Sequence, residues 1–160
     1  MNKPTLAATT LAVATAAGFG SVASGGRATP WYSRLKKPSY VPPNAVFPLA
    51  WTSLYTDIAV TSAAAIDRLR AAGRQDEARN YVVALGLNLI LNAGWSWLFF
   101  RYQKLGASMI GAAVLAASSA DLTRRTALAD PRTGAALLPY PLWSAFATAM
   151  SGHIWVLNRS

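Results

Sequence analysis

The chain has 160 residues, of which 53% are hydrophobic and 13% are charged, and its formal net charge is +9. A soluble domain usually has about one-quarter charged residues, so this composition favours a single membrane-embedded domain. The chain has no cysteine, one histidine and six acidic residues, which excludes thiolate and histidine-cluster sites, and we predict no metal site. The cations lie in short segments between apolar runs, so we expect membrane lipid and no nucleic acid as a partner.

The first apolar segment, residues 5–24, has no charge and lies between Lys3 and Arg27. It is long enough to cross a hydrocarbon core of ~30 Å. The small residues at its end are also typical of a cleaved signal peptide. The segment is long for a signal peptide and is followed by a tryptophan-containing loop, so we favour a retained helix.

The first connection, residues 25–45, mixes aromatic residues, prolines and cations. This mixture is typical of the headgroup level of a membrane. The prolines are expected to prevent a regular helix and to stiffen the connection.

Four further apolar segments cover residues 46–66, 80–100, 105–122 and 137–157. With residues 5–24 they predict one all-α domain over residues 1–160, an integral membrane bundle of five transmembrane helices. A soluble alanine-rich bundle is the alternative, but it requires polar helix faces that residues 5–24 and 80–100 do not have. The cations divide almost equally between the two sides, so the sequence predicts neither the orientation nor the particular membrane.

Isolated polar residues within these segments need partners. Asp57 interrupts the second segment, and because a charge in the membrane is costly we expect it to face the bundle interior, to be protonated or to be paired. Asn88 and Asn92 share one helical face, where amides fit hydrogen bonds between helices; a ligand contact is the alternative, especially for Asn92. We interpret His153 as a packed or hydrogen-bonding residue rather than a haem ligand.

Aromatic residues recur at helical spacing in three of the segments. Such stripes usually belong to a core. Three of them together also fit the walls of a flat apolar slot, and small residues such as Ala147 leave room for a lipophilic ligand. The candidate ligand-binding residues are Trp51, Tyr55, Asn92, Trp95, Trp143, Phe146 and Ala147.

Four motifs point to a family. They are WYSRLKKPSYVPPN at residues 31–44, VFPLAWTSLY at 46–55, LNAGWSWLFF at 91–100 and PYPLWSAFAT at 139–148. Their residues and order resemble the tryptophan-rich sensory protein / translocator protein (peripheral benzodiazepine receptor) family, in its bacterial form. The chain departs from the family pattern at Ala45, where many members have tryptophan.

The resemblance implies a five-helix bundle, often a homodimer, with a ligand pocket under a lid that contains Trp31, Tyr32 and Tyr40. It implies that protoporphyrin IX, haem or similar flat lipophilic molecules bind as ligands, with no obligatory cofactor, and that the protein acts in their transport, sensing or scavenging. Two alternatives stay open. One is light-dependent oxidation of protoporphyrin through Trp51 and Trp143, with no other catalytic residue predicted. The other is a membrane interaction protein whose aromatic faces pack together and leave no slot.

Overall fold

The computed structural model describes residues 2–25 and 28–159, and the regular elements in these ranges are all helical. Arg27, one of the predicted flanking cations, lies outside them. In chain order the elements are α1 (Lys3–Ser24), α2 (Ala28–Arg34), α3 (Val46–Ala71), α4 (Gln75–Ser96), a π-helical turn (Trp97–Arg101), α5 (Leu105–Ala129), α6 (Pro131–Leu137) and α7 (Pro139–Asn158).

The all-α class is confirmed, whereas the count of five helices is not. The short helices α2 and α6 form in addition to the long ones, and the long helices extend beyond several predicted spans. By length and composition, three helices among the described residues could cross a membrane. These are Lys3–Ser24, Gln75–Arg101 and Leu105–Ala129. That α3 and α7 also cross remains a prediction.

The expectation that residues 25–45 contain no regular helix is wrong at α2, which includes Pro30. Pro30 is tolerated because it lies in the first turn, where backbone N–H groups have no partner within the helix. The residues between the predicted spans 105–122 and 137–157 are also largely helical. Asp121 accepts hydrogen bonds from Arg124 and Arg125 at 2.9 and 2.8 Å. These are i,i+3 and i,i+4 ion pairs, which stabilise a helix, so α5 continues through the charged residues.

The helices pack as a bundle in which α5 lies along α7, while α1 contacts both α3 and α4. One core cluster, which includes Ile58, Leu122 and Tyr140, lies in the body of the bundle. A second cluster, which includes Tyr32, Trp95 and Phe99, lies where α2 covers one end. Asp57 is only half-buried, and its carboxylate has no hydrogen-bond or ion-pair partner in residues 2–25 and 28–159.

Candidate ligand-binding site

A cleft of about 330 Å³ lies at the end of the bundle that α2 covers. Its walls come from the last turns of α1, the first turns of α3 and the α4–π junction, with Met150 of α7 beside them. The lining residues are Ala17, Gly20, Ser21, Ser24, Tyr32, Asn44, Phe47, Pro48, Trp51, Tyr55, Trp95, Ser96, Phe99, Phe100 and Met150.

Flat ring faces from α3 and from the α4–π junction line the cleft. On α3, Trp51 stacks on Tyr55 with ring centroids 5.5 Å apart and an interplanar angle of 28°. On α4 and the π turn, Trp95 stacks on Phe99 at 5.3 Å and 27°. The Trp51 and Trp95 rings lie 6.4 Å apart, so the two stacks meet in one aromatic wall. Such a surface suits a planar apolar molecule.

The π turn explains why Phe100 also lines the cleft. Tyr102 N donates to Trp97 O at 2.8 Å, which is the i to i+5 pattern of a π-helix. The wider turn aligns residues five apart, whereas α-helical spacing aligns Trp95 with Phe99 alone. The Phe100 ring consequently lies 6.1 Å from the rings of both Trp95 and Tyr32.

Two polar atoms of the cleft residues lack partners. Tyr32 Oη and Trp95 Nε1 are buried and make no hydrogen bond within the described ranges. Both belong to residues that line the cleft, and the residues themselves are 7% and 6% exposed. A buried donor without an acceptor costs about 1–3 kcal/mol. Burial also raises the pKa of Tyr32, so its hydroxyl remains a neutral donor near pH 7.

Four of the predicted residues, Tyr32, Trp51, Tyr55 and Trp95, line the cleft. The candidates from the last predicted span, which belong to α7, lie behind the cleft. Trp143 contacts the Trp51 ring edge-on at 6.4 Å, Phe146 packs on Trp143 at 5.3 Å, and Ala147 is buried.

The other lid residues do not line the cleft either. Trp31 packs edge-on against Phe99 at 5.7 Å. Tyr40 packs against α7. Its ring is 6.0 Å from that of Phe146, and its hydroxyl is 3.2 Å from His153 Nδ1. His153 was interpreted as a packed or hydrogen-bonding residue, and Tyr40 is its hydrogen-bond partner.

Asn92 lies in a polar network behind the cleft. Tyr55 Oη donates to Asn92 Oδ1 at 3.0 Å, and Asn92 Nδ2 donates to Tyr140 Oη at 2.9 Å. Tyr140 Oη donates to Asn88 Oδ1 at 2.7 Å, and Asn88 Nδ2 donates to Ser119 Oγ at 3.2 Å. Both amides thus link helices, and the network fixes the ring of Tyr55 at the edge of the cleft.

The α1 wall was missed by the sequence reasoning. It consists of Ala17, Gly20, Ser21 and Ser24. Their spacing of three, one and three residues places them on one helical face, a signal that was present in the sequence. Small residues there leave the space that the larger rings of α3 and α4 enclose.

The lid segment, residues 35–45 between α2 and α3, is hydrogen-bonded to the end of α7. Asn158 Oδ1 accepts from Lys36 N at 3.0 Å, and Asn158 Nδ2 donates to Lys36 O at 2.8 Å. Lys37 Nζ lies 4.7 Å from the centroid of the Tyr32 ring. One cation after α2, Lys37, is therefore close to a ring that lines the cleft.

The side chains in the described ranges provide no group of three or more His, Asp or Glu that could hold a metal ion. Apolar helices of membrane-spanning length and an aromatic cleft under the first connection define the class as a multi-pass helical membrane protein with a candidate lipophilic pocket. The model of the TspO/MBR family matches residues 8–156, and the chain belongs to that family.

Relatives with known names support this assignment. The chain is 32% identical over 153 residues to "Protein CrtK" of Rhodobacter capsulatus, covering 92% of this chain and 89% of the relative. It is 30% identical over 132 residues to the human "Translocator protein", covering 81% and 75%. It is 30% identical over 128 residues to the "Tryptophan-rich sensory protein" of Cereibacter sphaeroides, covering 80% and 77%. The predicted resemblance is confirmed, and the protein is a multi-pass integral membrane protein.

Proposed function

We propose that the cleft binds a flat lipophilic ligand of the tetrapyrrole class, such as protoporphyrin IX or haem, and that the protein acts in its transport, sensing or scavenging. The observation that carries this proposal is the pair of unpartnered donors, Tyr32 Oη and Trp95 Nε1, on residues that line the aromatic cleft. A planar ring system with acceptor atoms at its edge matches both features. An interaction protein without a ligand is less well supported, because the aromatic rings leave a cleft beside them.

The size of the cleft adds a condition to this proposal. At about 330 Å³ it lies at the lower end of the roughly 300–1,000 Å³ typical of ligand pockets. A complete macrocycle therefore requires outward movement of α2 and the lid segment, or projects from the cleft mouth. In either case Lys37, whose Nζ lies 4.7 Å from the centroid of the Tyr32 ring, is a suitable partner for its carboxylates, and Arg34 and Lys36 are neighbouring cations of the same part of the chain.

A dark titration with protoporphyrin IX tests the proposal, with the Soret absorbance of the ligand as the readout. Tyr32→Phe and Trp95→Phe each keep a ring and remove one donor, so each should weaken binding by about 3- to 10-fold, the effect of one hydrogen bond. Trp155→Phe is the matched control, since Trp155 lies on α7 and does not line the cleft. Wild-type affinity in the Tyr32→Phe, Trp95→Phe double variant would contradict the proposal.

A second candidate function is light-dependent oxidation of bound protoporphyrin by dioxygen. The observation that favours it is the contact of Trp51 with both Trp95 and Trp143, each at 6.4 Å, which connects the cleft to α7 through indole rings. Trp143→Phe should slow bleaching of bound protoporphyrin under light and air and leave dark affinity unchanged. Equal bleaching rates in the two proteins, or bleaching that persists under argon, would reject this function.

A further inference from the structure

The outer surface between α1 and α4 contains a second apolar depression, which we name the α1–α4 groove. It consists of two crevices of about 430 and 1090 Å³ that share Ala8, Ala12, Gly86 and Leu89. These residues differ from those of the aromatic cleft. Both helices are apolar and long enough to cross a membrane, so the groove lies at the level of the bilayer.

The end of the groove near the N-terminus of α1 has an unpaired cation. Arg70 lines this end, and its guanidinium makes no ion pair or hydrogen bond with any described residue. Neighbouring arginines are paired: Arg68 lies 3.8 Å from Asp130, and Arg74 binds Glu77. The nearby Asp67 accepts from Asn2 N at 2.7 Å.

A threonine with an unpartnered hydroxyl lies at the same end. Thr5 is 7% exposed and lines the groove, and within residues 2–25 and 28–159 its hydroxyl has no hydrogen-bond partner. Thr9, one turn further, donates instead to Ala59 O at 2.8 Å. Arg70 and Thr5 thus place an unpaired cation and a free donor at the end of the apolar groove.

The length of this end of the groove along α1 matches the thickness of the hydrocarbon in one lipid leaflet. Its lining on α1 runs from Asn2 to Ala12, which is about 15 Å at 1.5 Å per residue. A hydrocarbon core is about 30 Å thick, so each leaflet contributes about 15 Å. One acyl chain that begins at the headgroup level has the length to fill it.

We propose that the Arg70 end of the α1–α4 groove binds one anionic phospholipid. Arg70 binds the phosphate, Thr5 Oγ1 donates to an ester carbonyl oxygen, and one acyl chain lies against Ala8, Ala12 and Gly86. The lipid is anionic because Lys3, a second cation of this end, also has no partner among the described residues.

Native mass spectrometry of the purified protein with dioleoylphosphatidylglycerol tests this site. We expect one tightly bound lipid per chain. Dioleoylphosphatidylcholine, with the same acyl chains, should bind about fivefold more weakly, because it has no net charge for the unpaired cations to attract. Millimolar inorganic phosphate should not displace the lipid, because phosphate lacks the acyl chain.

Two variants target the two parts of the site. Arg70→Ala should weaken binding about fivefold or more, and Arg70→Lys should restore most of it. Gly86→Leu should exclude the acyl chain, because a side chain at Gly86 extends into open space. The matched controls are Arg132→Ala, an exposed cation of α6 outside the groove, and Gly18→Leu, an α1 glycine with open space that lines neither crevice. Both controls should bind lipid as the wild type does.

Three results would overturn the proposal. The first is wild-type lipid binding by Arg70→Ala and Gly86→Leu when their circular dichroism equals that of the wild type. The second is equal binding of the two phospholipids, or displacement by inorganic phosphate. The third is loss of a dimer in Gly86→Leu while the lipid count stays unchanged, which would assign the groove to a second copy of the chain.

Discussion

At the residue scale, the hydroxyl of Tyr140 connects the two core amides. It accepts from Asn92 and donates to Asn88, and Tyr140 itself is fully buried. Tyr140→Phe leaves both amides with an unpaired atom, so we expect a loss of about 1–2 kcal/mol in the free energy of unfolding. Unfolding by SDS in mixed micelles measures it. Tyr102→Phe, at an exposed tyrosine, should cost almost nothing; equal stability of both variants would show that the network does not stabilise the fold.

At the element scale, α6 approaches α5 closely at Gly134. A Cβ added there would lie 2.5 Å from Ala127 Cα, and backbone cannot move aside as a flexible side chain can. Gly134→Ala should therefore push α6 from α5 and lower the free energy of unfolding by about 1–3 kcal/mol. Gly18→Ala, where the added Cβ meets nothing, serves as the control. An unchanged melting temperature for Gly134→Ala would contradict the close approach.

Asp130, at the start of α6, makes the free energy of unfolding depend on pH in the acidic range. The Thr133 hydroxyl, donating to Asp130 Oδ2 at 2.5 Å, and the nearby Arg68 lower the pKa of Asp130. Because the folded pKa lies below the usual value of about 3.9, this stabilisation is present above pH 4 and is lost as the pH falls through the folded pKa. Asp130→Asn keeps a capping oxygen but does not titrate, so its melting temperature should fall less between pH 6 and pH 3. An identical fall in the two proteins would remove Asp130 from the explanation.

At the scale of the whole molecule, five spans predict a definite sidedness. The chain has no cysteine, so single cysteines can be labelled without background. An impermeant maleimide should label cysteines at Ala72 and Arg132 from one side, and cysteines at Ser39, Gln103 and Arg159 from the other. Labelling of positions 72 and 132 from opposite sides would mean that α4 and α5 do not both cross, and the five-span arrangement would be wrong.

The sequence was most informative where one signal decides the structure. The apolar segments located the long helices, and the spacing of Trp51 and Tyr55 identified a shared face that lines the cleft. Spacing could not tell the Trp51 face from the Trp143 face, because which stripe lines a cleft depends on how helices rotate against their neighbours. The position of Phe100 depends on a π turn that no periodicity indicates. The short helix α2 forms in a proline-containing segment whose sequence does not favour a helix.

Filling the aromatic cleft with a larger side chain tests whether a ligand enters it. Ala17 lines it from α1, whereas Ala7 is exposed on the same helix and lines no cleft or groove. We predict that Ala17→Phe abolishes saturable protoporphyrin IX binding in the dark, and that Ala7→Phe binds as the wild type does, with both variants melting at the wild-type temperature. Wild-type affinity in a folded Ala17→Phe protein would contradict the account and place any porphyrin site elsewhere on the molecule.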